Sequence, residues 1–307
     1  MVRALMGSIV LAGGAFAAAA AAFPAPRLAP RPAPDSAPAA SAPLAPFSEP
    51  IREAATAIEM IPVPGSADGS IPGFHISKTE IPWEVFDVFV YRLDVGIEDE
   101  AAMWADTESR PSKPYLPPDR GFGHQGYAAI SLTHHAATKF CQWLSERTGR
   151  TYRLPTEDEW ERAARMRPDG TLAEGSYAND IGLEELGEIA WFKGNSGNRP
   201  HPIGTRRPLG LLDLHGNVAE WVNGRDGRPT TKGGSYRDTP RSLSIESSTD
   251  QTSAWNASDP QIPKSTWWLS DGPMVGFRIV CEPAAAAPET APETAPETTP
   301  DTPSASP

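Results

Sequence analysis

The sequence predicts one loop-rich domain of mixed α and β structure, spanning about residues 52–283. Three observations point there. Short apolar runs near the domain start have strand character, and three segments between Pro82 and Arg165 carry helical spacing. The stretch from Gly170 to Cys281 is so rich in Gly, Pro, Asn and Asp that little regular structure is expected.

Ile58 to Val63 alternates and ends at Pro64-Gly65, and Gly73 to Lys78 is a second short run, so both read as strands joined by a turn region. A helix follows from Pro82, which suits a first helical position because no N–H is needed there. Phe86, Phe89, Val90 and Leu93 then fall at i, i+3, i+4 and i+7, giving one buried stripe. Residues 95–127 carry prolines at 111, 114, 117 and 118 and glycines at 121, 123 and 126, which predicts a long surface loop. The next helix starts at Ser131 or Thr133 as cap. It puts Ala137, Phe140, Cys141 and Leu144 on one face and stops at Gly149. Thr156 followed by Glu159 is a capping box, so a third helix runs from there to about Arg165, where Pro168-Asp169-Gly170 turns the chain.

Both ends have compositions that cannot build a core. Residues 23–51 are nearly all Pro, Ala and Ser, and 284–307 repeat Ala-Pro-Glu-Thr from positions 287, 291 and 295. Such segments bury too little apolar surface to offset the entropy of ordering, so both are expected to be disordered spacers. Residues 1–22 read as a secretory signal peptide, with Arg3, an apolar run and Ala20-Ala21-Ala22 before Phe23. Retention as an uncleaved anchor is the alternative, because the apolar run nears bilayer-spanning length. With the signal removed, no membrane span is expected, and the protein is exported to a periplasm, a cell surface or the medium. Net charge is −12, and Glu289, Glu293, Glu297 and Asp301 of the tail contribute to it. No basic cluster stands out, which argues against a nucleic-acid partner. All nine tryptophans and both cysteines lie between the two spacers, a large core for one domain.

Four blocks carry a resemblance: Tyr152 to Arg165, Gly210 to Trp221 with Gly216-Asn217-Val218-Ala219-Glu220-Trp221, Lys232-Gly233-Gly234-Ser235-Tyr236, and Gly276-Phe277-Arg278. Their order and spacing resemble the sulfatase-modifying-factor family, which includes the formylglycine-generating enzymes. The helix from Pro82, preceded by Ile76 to Glu80, is similar to the family's N-terminal block, so the likeness covers the whole globular part. It implies an α+β, complex C-type-lectin-like fold with few helices and small antiparallel sheets.

The resemblance also implies what this chain lacks. Formylglycine-generating members place two copper-binding cysteines after the Gly-Gly-Ser block, and alignment on Gly233 to Tyr236 puts Asp238 and Leu243 there. Copper(I) selects thiolates, so copper is not expected as a cofactor. The ergothioneine sulfoxide synthases, an iron-dependent branch, use a histidine-rich ligand set. Here His134 and His135 are adjacent and diverge by about 100 degrees on a helix, while His75, His124, His201 and His215 are scattered. The family's calcium ligands match Asp213, Gly216, Val218 and Glu220, an all-oxygen set suited to a hard cation. The second family calcium site is not recognisable in residues 189–204. Family members often bond a cysteine of the Cys141 helix to one just after the Gly-Phe-Arg motif. A Cys141–Cys281 disulfide is therefore expected, with Cys281 two residues later than usual.

Function then reads as an exported, non-oxidase member of the family, a binding or accessory module for an unidentified protein, peptide or glycan ligand. Two alternatives stand beside it: a divergent oxidase or protein-modifying enzyme with Ser235, Asp238 and Arg241 lining the family's cleft, and a structural envelope protein.

Overall fold

The computed structural model describes residues 44–173, 182–206 and 210–283. The expected signal peptide, the spacer up to residue 43 and the tail from 284 lie outside the described residues.

The domain begins ahead of its expected start. Phe47–Ile51 forms strand β1 and pairs antiparallel with β2 (Thr56–Val63), Phe47 opposite Met60 and Ile51 opposite Thr56. Its proline, Pro50, is tolerated because β1 is the edge of a five-stranded antiparallel sheet ordered β1-β2-β3-β9-β4. The other members are β3 (Phe74–Ser77), β4 (Tyr152–Arg153) and β9 (Val280–Cys281). The second half holds more regular structure than its composition suggested. A four-stranded sheet runs β7-β6-β5-β8, built from β5 (Ala219–Asn223), β6 (Pro229–Lys232), β7 (Ser248–Asp250) and β8 (Val275–Gly276). Against the expectation of antiparallel sheets, β5 and β8 pair in parallel.

Helix α1 (Trp83–Val90) follows Pro82, which is its N-cap, and buries Phe86, Phe89 and Val90 as the spacing required. Leu93 does not join them: the helix has ended, Arg92 has turned to φ 54°, and Leu93 is 49% exposed. Helix α3 (His134–Thr148) is capped by Thr133, whose Oγ1 accepts from the Ala136 N–H at 3.1 Å, and ends at Gly149 with φ 73°. Helix α4 (Glu157–Ala164) carries the expected reciprocal box between Thr156 and Glu159. Two shorter helices are α2 (Glu100–Met103) and α5 (Leu183–Ile189). One apolar cluster joins α1 and α3 to Trp221, Trp267 and Phe277, and a second joins α4 through Trp160 to Phe74, Ile76, Val222 and Val280.

The long loop between α1 and α3 is fastened by side chains to backbone. Buried Arg92 donates to the carbonyls of Met103 (2.5 Å) and Asp106 (2.6 Å), while Trp267 and Trp268 donate their indole N–H groups to Thr107 O (2.9 Å) and Ser112 O (2.7 Å). Arg110 pairs with Asp94 at 2.8 Å and lies over the Phe89 and Trp143 rings. These bonds satisfy backbone groups that have no sheet or helix partner, which is how a loop of this length holds one shape.

Candidate functional site

The positions aligned with the family's copper cysteines lie in a closed turn and in the core. Ser235 is buried, and both its N–H (2.8 Å) and its hydroxyl (2.7 Å) donate to Asp238 Oδ2, while the Asp238 N–H donates back to Ser235 O at 3.0 Å. The two residues meet and bond to each other. Arg241 does not join them; it sits exposed on the 3-10 turn Pro240–Leu243. Leu243 is 1% exposed and packs with Leu186, Ile189, Ala190 and Phe192, so a hydrocarbon plug fills the second cysteine position. The cleft expected around Ser235, Asp238 and Arg241 is thus not a convergent polar site.

The expected calcium set falls in the tight chain between 210 and 221. Gly216, at φ 77°, passes so close to Trp191 that a Cβ there would lie 2.1 Å from its carbonyl oxygen, so only glycine fits. Glu220 is buried and engaged on both oxygens. Arg278 donates Nε to Oε2 and Nη2 to Oε1, each at 2.6 Å, and Trp160 Nε1 donates to Oε2 at 2.6 Å. Arg278 also donates to the carbonyls of Ser77 and Leu212, each at 2.9 Å. Two further carboxyls surround this pair. Asp213 Oδ2 accepts from the Gly204 N–H at 2.6 Å, and Glu80 accepts from Asn217 Nδ2 (2.9 Å) and the Val218 N–H (3.1 Å). Burial, then the charges of Asp213 and Glu220, push Glu80 well above the usual carboxylate range. Burial pushes Asp213 up to about 6, with Glu220 adding to it and the Gly204 N–H and Arg278 opposing.

Glu220 is a poor calcium ligand in this arrangement. Arg278 engages both oxygens of Glu220 and so competes with a metal for them. Arg278 offsets part of this cluster's negative charge, and burial favours the protonated form of Glu80. Sequence reading took Glu80 and Arg278 only as parts of motif blocks. An acidic residue directly before an apolar strand-to-helix junction was the available signal.

Cys141 on α3 and Cys281 on β9 are buried free thiols, which corrects the expected disulfide. Cys281 pairs in register with His75 and Tyr152, and its Sγ leans toward Glu282 O at 3.5 Å. Burial raises the pKa of both thiols, keeping them protonated and unreactive.

The histidines have separate partners. His134 Nε2 lies 3.0 Å from Asn223 Oδ1, His135 stands edge-on to Trp267, His201 stacks on Trp191 and His215 Nδ1 lies 3.0 Å from Leu243 O. His124 differs. Its Nε2 is 2.6 Å from Asp87 Oδ2 and its Nδ1 is 3.5 Å from Asp119 Oδ2, with Trp83 stacked on the ring at 4.9 Å. It lines a groove of about 570 Å³ together with Tyr91 and with Trp104, Tyr115 and Asp119 of the 95–127 loop. Sequence reading predicted the loop but not the groove, because the aromatic residues come from positions 24 apart that only the folded loop brings together.

Two small sheets, few helices and long fastened loops define an α+β domain of the formylglycine-generating type of fold. The domain profile described as "sulfatase-modifying factor enzyme 1-like" matches residues 4–282, and the chain belongs to that family. Among known proteins, formylglycine-generating enzyme from Mycobacterium tuberculosis is 28% identical over 109 residues, which are 32% of this chain and 33% of that one, so the match spans about a third of the relative. Treponema denticola variable protein 1 superposes with a TM-score of 0.52 at 19% identity, over 78% of this chain and 99% of its own. PvdO from Pseudomonas aeruginosa does so at 0.51 and 21%, over 79% and 100%. At these identities the two structures speak for the fold alone.

Proposed function

We propose that this protein is an exported, non-oxidase member of the sulfatase-modifying-factor family that acts as a binding or accessory module, with its long loops as the ligand surface. The observation that carries the reading is the fate of the two aligned cysteine positions. Asp238 bonds Ser235 through one carboxylate oxygen, and Leu243 is a core residue, so copper(I) would find a hard carboxylate and no sulfur. The buried thiols Cys141 and Cys281 stand in other elements and are protonated. Ligand recognition by loops on a rigid scaffold is the use to which such an architecture lends itself. Export rests on the signal-like residues 1–22.

The test is incubation with a sulfatase-derived cysteine peptide, copper and oxygen, followed by mass measurement. No aldehyde above a copper-only control is expected. Turnover would show that the assignment of positions 238 and 243 is wrong.

A further inference from the structure

The groove at the 95–127 loop combines aromatic walls with the carboxylate of Asp119. Tyr91 and Trp104 meet edge to face, with ring centroids 5.9 Å apart, and Tyr115 stands beside them 63% exposed. Asp119 lines the groove with the rings, and Asp87 lies near enough to act on the Tyr91 phenol. Asp119 and Asp87 have His124 as their one ion-pair partner among the described residues, and Asp87 Oδ1 is buried without a hydrogen-bond partner. The nearby cations are already committed. Lys113, on the groove wall, is paired with Glu100, and Arg120 donates to Ser131 Oγ (3.3 Å) and Leu269 O (3.0 Å), acting on Asp119 only through space. The Tyr91 phenol registers the resulting field, since burial and then the charges of Asp87 and Asp119 raise its pKa.

From this geometry we infer that the groove is a binding site for a small organic ammonium ion, held over the faces of Tyr91, Trp104 and Tyr115 and drawn by Asp119. A cation is attracted by the negative face of an aromatic ring, and alkylated ammonium groups lose little hydration on entering such a cage. The volume suits a small molecule. The fastening of the loop through Arg92, Trp267 and Trp268 means that the walls are in place before the ligand arrives, so binding bears little ordering cost. The inference deepens the proposed binding function and rests on it.

Calorimetry with choline, set against its uncharged isostere 3,3-dimethylbutanol, tests the assignment on the whole chain. Choline should bind with a Kd on the order of a millimolar or tighter, and the neutral isostere at least tenfold more weakly. Trp104→Ala and Asp119→Asn should each weaken choline about tenfold. Tyr115→Ala, at an exposed position, should do the same while leaving the melting temperature unchanged, which guards against a Trp104 variant that fails to fold. Equal binding of choline and its isostere, no heat from either, or full affinity in the Tyr115 and Asp119 variants would overturn the inference. Sedimentation with phosphatidylcholine vesicles separates a soluble ligand from a lipid headgroup, and retention on vesicles without binding of soluble choline would also overturn it. None of these failures touches the non-oxidase reading, which the peptide assay decides by itself.

Discussion

Replacing Arg278 by methionine should destabilise this domain more than almost any other single change to a polar side chain. The guanidinium makes two 2.6 Å bonds to Glu220 and two more to the carbonyls of Ser77 and Leu212, with both ionic side chains essentially out of water. Methionine fills much of the same volume but leaves buried Glu220 without its guanidinium partner. Breaking a buried pair from one side costs about 3–5 kcal/mol, because the remaining charge is left desolvated. In a domain of this size each kcal/mol moves Tm by roughly 2–4 °C, so the expected loss is about 6–20 °C. Thermal unfolding at pH 7, followed by circular dichroism, measures it. The double variant Arg278→Met with Glu220→Gln should lose clearly less than the sum of the single variants, because it no longer strands a charge. A loss under about 1 kcal/mol for Arg278→Met, or strict additivity in the double variant, would refute the view that this pair organises the buried cluster.

Four further outcomes follow from the same geometry. Asp213 has a folded-state pKa of about 6 against an ordinary 3.8, so the native state binds its proton more tightly than the unfolded chain. Its contribution to stability is therefore full below about pH 4 and lost as pH rises toward 6, and Asp213→Asn should flatten this part of the Tm-versus-pH curve; parallel curves would count against the shift. With Glu220 committed to Arg278, calcium and chelator should give the same melting temperature, and a rise of several degrees with calcium would restore the metal site suggested by the family. A thiol reagent should find no reactive cysteine in the native protein and two after unfolding without reductant, whereas zero would mean that Cys141 and Cys281 are bonded. Thr156→Ala breaks the capping box of α4 and should cost about 1 kcal/mol, read from the urea midpoint.

The sequence by itself determined the elements whose cause is local. A threonine three residues before a glutamate fixes the start of α4, Gly149 fixes the end of α3, and the 3.6-residue spacing of Phe86, Phe89 and Val90 fixes the buried face of α1. Each is a matter of neighbours within a turn or two, which a one-dimensional pattern records. The motif blocks, from Tyr152 to Arg278, likewise identified the family, because their order and spacing are properties of the chain.

Only the tertiary structure decided what the polar residues do. Glu220 and Arg278 are 58 positions apart, and nothing local says that the glutamate's oxygens will be taken by a guanidinium instead of a metal. Leu243 reads as an absent ligand in the sequence and as a core residue in the fold, since α5 and Phe192 close over it. Strand β1 was invisible in a Pro- and Ala-rich stretch because its stability comes from pairing with β2 and not from its own composition. The groove at Tyr91, Trp104 and Tyr115 depends on a loop folded back by bonds from Arg92, Trp267 and Trp268, residues up to 160 positions away. Charge balance, burial and ligand access are properties of how distant segments meet, and that is set by packing.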